Sequence, residues 1–199
     1  MKVFGIGLNK TGTSSLGHAL RILGYTDHVD GRKDLLEGWA NGQIEPILDA
    51  AKAFNNFEDW PWPLVYKELH QRFPDAKFIL TKRSSADTWF TSLCNHADRT
   101  GPTQQRQWVY GHAMPHDHKA EHVAFYTAHN NAVSAYFQAE APGQLLEVCW
   151  EDGNNWDKLC AFLDKPIPSV AFPHFKPLAE QPKQASKQSL RDKIKRFFS

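Results

Sequence analysis

Apolar and polar positions along the chain fall into blocks that predict strands followed by helices. Lys2–Gly7 is a short apolar run closing on glycines, the pattern of a buried strand that opens into a loop. Thr13–Leu23 sets Leu16, Leu20 and Leu23 at helical spacing, with Gly24 beyond them as a C-cap. Lys33–Ala40 and Pro46–Phe54 predict two short helices, the second with proline in its first turn. Pro63–Phe73 predicts another, carrying Leu64, Leu69 and Phe73 on one side. Pro74-Asp75 then turns the chain into a β-rich run, Lys77–Thr81, and Ala86–Cys94 follows as a helix. Beyond Gly101-Pro102 come a polar, histidine-rich stretch and a long helix from about Lys119 to Ala139. Leu145–Cys149 predicts a third strand and Trp156–Leu163 a helix. Pro166, Pro168, Pro173 and Pro177, with Pro182 just beyond, predict an irregular segment wrapping the surface. Such alternation favours an α/β fold, a three-layer sandwich with a central, mainly parallel sheet. No internal repeat and no second-domain boundary is visible.

Charge sharpens this picture. The 199 residues hold 23 Lys+Arg against 22 Asp+Glu, a formal net charge of +1. From Lys183 onward six basic residues face one acid, so this segment carries +5 and residues 1–182 carry −4. A mildly acidic body with a basic tail is not the pattern of a generic nucleic-acid binder, and no nucleic-acid partner is expected. No run approaches the roughly 18–20 apolar residues of a membrane span. Met1-Lys2-Val3-Phe4-Gly5 leads straight into strand-like sequence, which predicts no secretory signal and a cytoplasmic protein. Cys94, Cys149 and Cys160 are too few and too scattered for a disulfide framework, and Cys149 and Cys160 are expected in the core.

The most informative segment is Gly5-Ile6-Gly7-Leu8-Asn9-Lys10-Thr11-Gly12-Thr13-Ser14-Ser15-Leu16. A strand entering a Gly-containing loop that ends at a helix start turns backbone N–H groups toward one point, which suits a phosphate or sulfate. Lys10 adds a mobile charge, and Thr11, Thr13, Ser14 and Ser15 add hydroxyls. The nucleoside-triphosphate loop G-x-x-x-x-G-K-[ST] is not matched, because Thr13 stands where its lysine belongs. A plain helix N-cap with a surface lysine fits the same residues.

Lys10-Thr11-Gly12-Thr13-Ser14 after the first strand resembles the 5′-phosphosulfate loop of the sulfotransferases, which hold 3′-phosphoadenosine 5′-phosphosulfate. Asp75–Arg83 is similar to that family's second signature, a strand ending in arginine, and Trp89 follows at the expected place. Leu145–Val148, the W-x-x-L-C-x-F-L run at Trp156–Leu163 and the P-x-x-x-F-P-H run ending at His174 extend the likeness over about residues 1–175. The resemblance implies a P-loop NTPase-like sulfotransferase fold, with a domain over residues 1–178 and a basic amphipathic tail over 179–199. It implies donor binding by Lys10, Thr11, Gly12, Thr13, Ser14 and Ser15 at the 5′-phosphate, and by Arg83 and Ser92 at the 3′-phosphate. Thr91 is the alternative to Ser92, since most members place this hydroxyl eight residues after the arginine. Lys82 before Arg83 departs from the usual apolar residue.

The implied activity moves a sulfuryl group from 3′-phosphoadenosine 5′-phosphosulfate to a hydroxyl or amine, releasing 3′,5′-adenosine bisphosphate with no metal required. Lys10 and Asp59 are the expected catalytic residues, Lys10 neutralising the leaving phosphate and Asp59 acting as base. Glu58 or a histidine is an alternative base, and Glu58 or Asp59 as a helix cap is the plainer reading of the same carboxylates. Trp60 and Trp62 line the acceptor pocket or simply pack. His112, His116, His118 and His122 invite a metal, but no H-E-x-x-H pattern accompanies them, and none is expected. The acceptor is a small molecule, lipid or saccharide. A kinase on a related fold, or a non-catalytic nucleotide-binding module, remains the competing class. The tail helix either lies on a membrane or partner, or packs on the body. Oligomeric state is not indicated.

Overall fold

Alternate residues of the two central strands feed separate cores, as the two-residue period of a strand requires. Val3 of β1 (Val3–Gly5) and Ile79 of β4 (Lys77–Lys82) join Leu16 and Leu20 of α1 (Thr13–Ile22) and Leu159 of α8 (Asn155–Leu163). Phe4 and Phe78 turn to the opposite face. There they meet Ile47 of α3 (Glu45–Ala50), Leu69 of α4 (Tyr66–Arg72), and Val133 and Phe137 of α7 (Lys119–Glu140). The computed structural model describes residues 1–153 and 155–174. Between the helical layers lies a five-stranded sheet completed by β2 (His28–Val29), β3 (Asn56–Phe57) and β5 (Leu145–Cys149). Its order is β2-β3-β1-β4-β5, and every neighbouring pair is parallel. The expected three-layer α/β architecture is therefore present.

This strand order positions the site. The chain leaves β1 for the β2–β3 side and then crosses over β1 to β4, so the direction of winding reverses at the central strand. Open parallel sheets bind ligands at such a reversal, outside the carboxyl ends of the strands. A third core covers that end: Leu8 of the first loop packs with Leu36 of α2 (Lys33–Ala40), Trp89 and Leu93 of α5 (Ala86–Thr100), and Tyr110 of α6 (Gln104–Tyr110).

Several elements differ from the sequence expectation. β2 and β3 were not expected; each is two residues long, and Asn56 hides the apolar pattern while its Nδ2 donates to Gly17 O and Tyr25 O. α6 was missed because its inward-facing residues include Arg106, which is 2% exposed. The helix expected over 63–73 splits into a tight 3-10 turn, Trp62–Val65, and α4. α5 continues to Thr100, where Gly101 ends it at φ 66°. Cys160 is buried as expected, but Cys149 is only half-buried. The proline-rich segment does run irregularly through residue 174, and Phe172 packs on Trp150 and Trp156 at 4.7 and 5.0 Å. The tail at 179–199 and the boundary at 178 lie outside the described residues. No helix among those described is long and apolar enough to cross a membrane.

Glu58, at the end of β3, is buried beneath α1 (3% exposed), where a Cβ on Gly17 would overlap its Oε1. Burial first, and then the nearby Asp30 and Asp59, push its carboxyl up to about 8. Burial also lowers the His28 imidazole, so the 3.3 Å contact between His28 Nε2 and Glu58 Oε1 joins two groups that both favour their neutral forms. Because the folded protein holds the Glu58 proton up to about pH 8 and the unfolded chain releases it near the ordinary 4.5, stability falls as pH rises through that window. Thermal unfolding of Glu58→Gln against the wild type should show an advantage for the variant that grows from pH 5 to pH 8. A difference independent of pH would contradict the assignment.

Candidate active site

The loop after β1 is held against β4 by contacts that leave no room for side chains. A Cβ on Gly7 would collide with Thr81 Oγ1 and Thr81 O. Thr11 Oγ1 donates to Leu8 O at 2.6 Å and lies 2.6 Å from Thr81 Oγ1. Its one proton being committed, the Thr81 hydroxyl must donate to it. The Thr11 hydroxyl expected to face a ligand is thus used to shape the loop, which corrects that expectation. Asn9 is buried and fixed from two sides: Trp89 Nε1 donates to its carbonyl at 2.9 Å, and the Tyr110 hydroxyl donates to its Oδ1 at 2.6 Å.

These anchors leave Lys10 in a left-handed conformation at φ 69° and Gly12 at φ 94°. Gly12 is the N-cap of α1 and offers no side-chain cap, so the N-cap position is not filled by a Thr or Ser as the plain reading supposed. A Cβ there would sit 2.5 Å from Trp150 Cδ1, and Trp150 Nε1 donates to Gly12 O at 3.2 Å. The first bond inside α1 is Leu16 N to Gly12 O, so the helix provides no acceptor for the amides of Thr13 and Ser14. Thr13 and Ser15 are buried and Ser14 is exposed at the helix start.

Positive charge gathers over this loop. Lys10 is half-buried, and its ammonium is destabilised first by burial, then by Arg99 and Arg83, with Asp59 opposing. His96 of α5 is pushed down to about 4 by burial and by Lys10, Arg106 and Arg99. Arg83 follows β4; its Nη2 pairs with Glu151 Oε1 at 2.6 Å, its backbone N–H donates to the Tyr126 hydroxyl, and its buried Nε has no hydrogen-bond partner among the described residues. Glu151 Oε2 also accepts from Ser84 N at 2.9 Å. Ser92 lies one turn before His96, on the same face of α5, while Thr91 is exposed on another face.

Asp59 faces the loop from the end of β3. It too is left-handed, at φ 65°, and its Oδ1 accepts from the Trp60 amide at 2.8 Å, so it caps no helix. Burial, with Asp30 adding, raises its carboxyl to about 6, while the Trp60 amide and Lys10 oppose the shift. Two non-glycine residues of the site, Lys10 and Asp59, in the left-handed region mark backbone held by its surroundings. Asp59 and Asn9 form part of the wall of a cleft of 240 Å³ that also includes Trp60, Leu36, His96 and Thr100. Trp60 lines it; Trp62 is fully buried in the core and does not.

The histidine cluster divides. His122 is buried, with Nδ1 2.7 Å from His118 O, and His116 pairs with Asp98 at 2.9 Å. His112, His118 and Glu121 place ligand atoms within 4.8 Å of one another. The two rings stack 3.4 Å apart at 10°, so an ion midway would lie about 1.7 Å out of each ring plane, whereas a Zn–N bond of roughly 2.0–2.1 Å runs in the plane. Glu58 lies under α1 rather than in the cleft wall, which separates it from Asp59. Sequence reasoning missed Asn9, His96, Arg99, Tyr110 and Glu151. Their roles come from tertiary contacts rather than local spacing; only the position of His96 and Arg99, one and two turns past Ser92, was legible.

The chain is similar to known proteins over most of its length. A family model described as a sulfotransferase domain matches residues 2–111 and 103–180. Ava biosynthesis cluster protein M of Aspergillus versicolor is 26% identical over 215 residues, spanning 87% of this chain and 80% of that protein. The crystal structure of a sulfotransferase from Alicyclobacillus acidocaldarius shares the fold, with a TM-score of 0.51 and 21% identity over 99% of this chain and 90% of that one. The family match takes in the β1 loop, Asp59, Arg83 and the β5 end, and on it the chain belongs to the sulfotransferase domain family.

Proposed function

We propose that the protein transfers a sulfuryl group from 3′-phosphoadenosine 5′-phosphosulfate to a hydroxyl or amine of a small acceptor. The observation that carries this is the setting of Lys10: half-buried, among Arg83 and Arg99, between the open amides of α1 and the Asp59 carboxylate. A Lys10 ammonium destabilised by burial and by Arg99 and Arg83, beside a His96 driven to about 4 by burial and by Lys10, Arg106 and Arg99, forms a site that an anion relieves. Residues 11–15 would hold the 5′-phosphate through backbone amides, with Thr13, Ser14 and Ser15 adding hydroxyls. Arg83 and Ser92 would hold the 3′-phosphate, the guanidinium exchanging part of its contact with Glu151 for the ligand.

The chemistry then divides between two side chains. Asp59 takes the proton from the acceptor as the acceptor oxygen or nitrogen bonds to sulfur. The bridging S–O bond breaks with its electron pair on the 5′-phosphate oxygen, where Lys10 neutralises the developing charge. Because the charge is met by protein groups, turnover should need no metal ion.

Three outcomes test the proposal. Purified protein should release 3′,5′-adenosine bisphosphate from the donor when offered a panel of small alcohols, phenols and amines, and should do so in excess EDTA; loss of turnover in EDTA would contradict the charge assignment. Asp59→Asn should lower kcat by roughly 10²–10⁴, the range of general-base catalysis, with Lys10→Ala comparably affected. Since Asp59 must be ionised to act and its carboxyl titrates at about 6, kcat/KM should fall about tenfold per pH unit below that value. A profile flat to pH 5 would remove Asp59 from the role of base.

A further inference from the structure

The wall of the cleft beside Asp59 carries charges that the donor does not explain. Residues 10–15 and Arg83 do not line it, whereas Lys33 and Arg106 do. Arg32, at the same mouth, is neutralised by Asp34 through two contacts of 2.8 and 2.6 Å. Lys33 has no such partner among the described ion pairs. It is the first residue of α2, where the helix dipole already supplies positive potential and a cation is disfavoured.

Arg106 is the stronger observation. It is 2% exposed, and every partner of its guanidinium is uncharged: Ala113 O at 2.9 Å, Thr100 Oγ1 at 3.1 Å, Gly101 O, and Met114 Sδ. Its hydrogen bonds hold the segment from Thr100 to Met114 in place, but its charge has no counter-ion among the described residues. A buried charge of that kind is costly unless something of opposite sign comes near. In the same wall the buried Trp60 Nε1–H and the His96 Nδ1 have no hydrogen-bond partner among the described residues. Among the described residues Asp59 carries the one carboxyl of the lining, and its side chain lies beside Gly31, two residues before Lys33.

We propose that the cleft admits an acidic acceptor: a small hydroxy compound bearing a carboxylate, with that carboxylate facing Lys33 and Arg106 and its hydroxyl at Asp59. The inference rests on the reading of Asp59 as base in sulfuryl transfer. A cavity of about 150 Å³ takes benzene, so 240 Å³ accommodates a ring with substituents or an aliphatic acid of similar size. Lys33 and Arg106 offset the repulsion between the acceptor's carboxylate and the anionic donor next to it, and Lys33 selects the acid by direct charge pairing.

Calorimetric titration of the full-length protein loaded with 3′,5′-adenosine bisphosphate tests this. The probes are 4-hydroxybenzoate, 4-hydroxyphenylacetate and 3-hydroxybutyrate, each against its uncharged carboxamide, at pH 7 and low salt. At least one acid should bind tenfold or more tightly than its amide, with the ratio shrinking as salt is added. Lys33→Gln should narrow that ratio threefold or more while the affinity for the bisphosphate stays within twofold of wild type. Equal affinity of acid and amide in all three pairs, or no binding of any probe to the loaded protein, overturns the acidic-acceptor assignment alone. Failure of the bisphosphate itself to bind overturns the donor reading, and this inference falls with it.

Discussion

The closeness of the β1 loop to β4 governs the rest of the site. Gly7 lies where any Cβ would strike Thr81, and Thr11 and Thr81 share a hydroxyl bond across the gap. That contact leaves the loop little freedom, so Lys10 adopts its left-handed backbone and the start of α1 opens its amides outward. Trp150 seals the far side against Gly12, and Asn9 is clamped by Trp89 and Tyr110. A loop held this firmly needs little reorganisation when charge develops on a ligand, which is how preorganised donors aid catalysis.

Electrostatics builds on that frame. The body of the chain is acidic, yet Lys10, Arg83, Arg99 and Arg106 act on one region at the carboxyl end of the sheet. Burial first, and then the neighbouring cations, lower the Lys10 ammonium and keep His96 neutral. The same region holds a carboxylate raised by burial to about 6, poised to be ionised near neutral pH. In the proposed reaction, fixed cations serve the leaving group and the neighbouring carboxylate serves the nucleophile. Arg106 extends the positive field into the cleft beyond Asp59, which links the choice of acceptor to the same electrostatic surplus.

Much of this was legible in the chain. Lys10 through Ser15 and Arg83 announce themselves because phosphate-binding loops and strand-end arginines are local patterns, and the alternation of strands and helices follows from hydrophobic period alone. Asp59 was legible through the family resemblance as an aspartate before x-P, between two expected helices, but its separation from Glu58 was not. Adjacent in sequence, the two residues point to different sides: Glu58 goes beneath Gly17 and Asp59 into the cleft wall. The Thr11 hydroxyl looked available because its partner, Thr81, is 70 residues away. Arg106 looked like one more residue of a polar stretch, and only the packed chain shows it buried with no counter-charge among the described residues.

The central claim is that the fixed cations around the β1 loop form a site for an adenosine bisphosphate bearing 3′ and 5′ phosphates. Equilibrium titration of 3′,5′-adenosine bisphosphate in EDTA, set against ATP with magnesium, tests it most directly. The account predicts tight, metal-independent binding of the bisphosphate that drops at least tenfold in Lys10→Ala and in Arg83→Ala. Preference for ATP with magnesium, or affinity for the bisphosphate unaltered by either substitution, would contradict it.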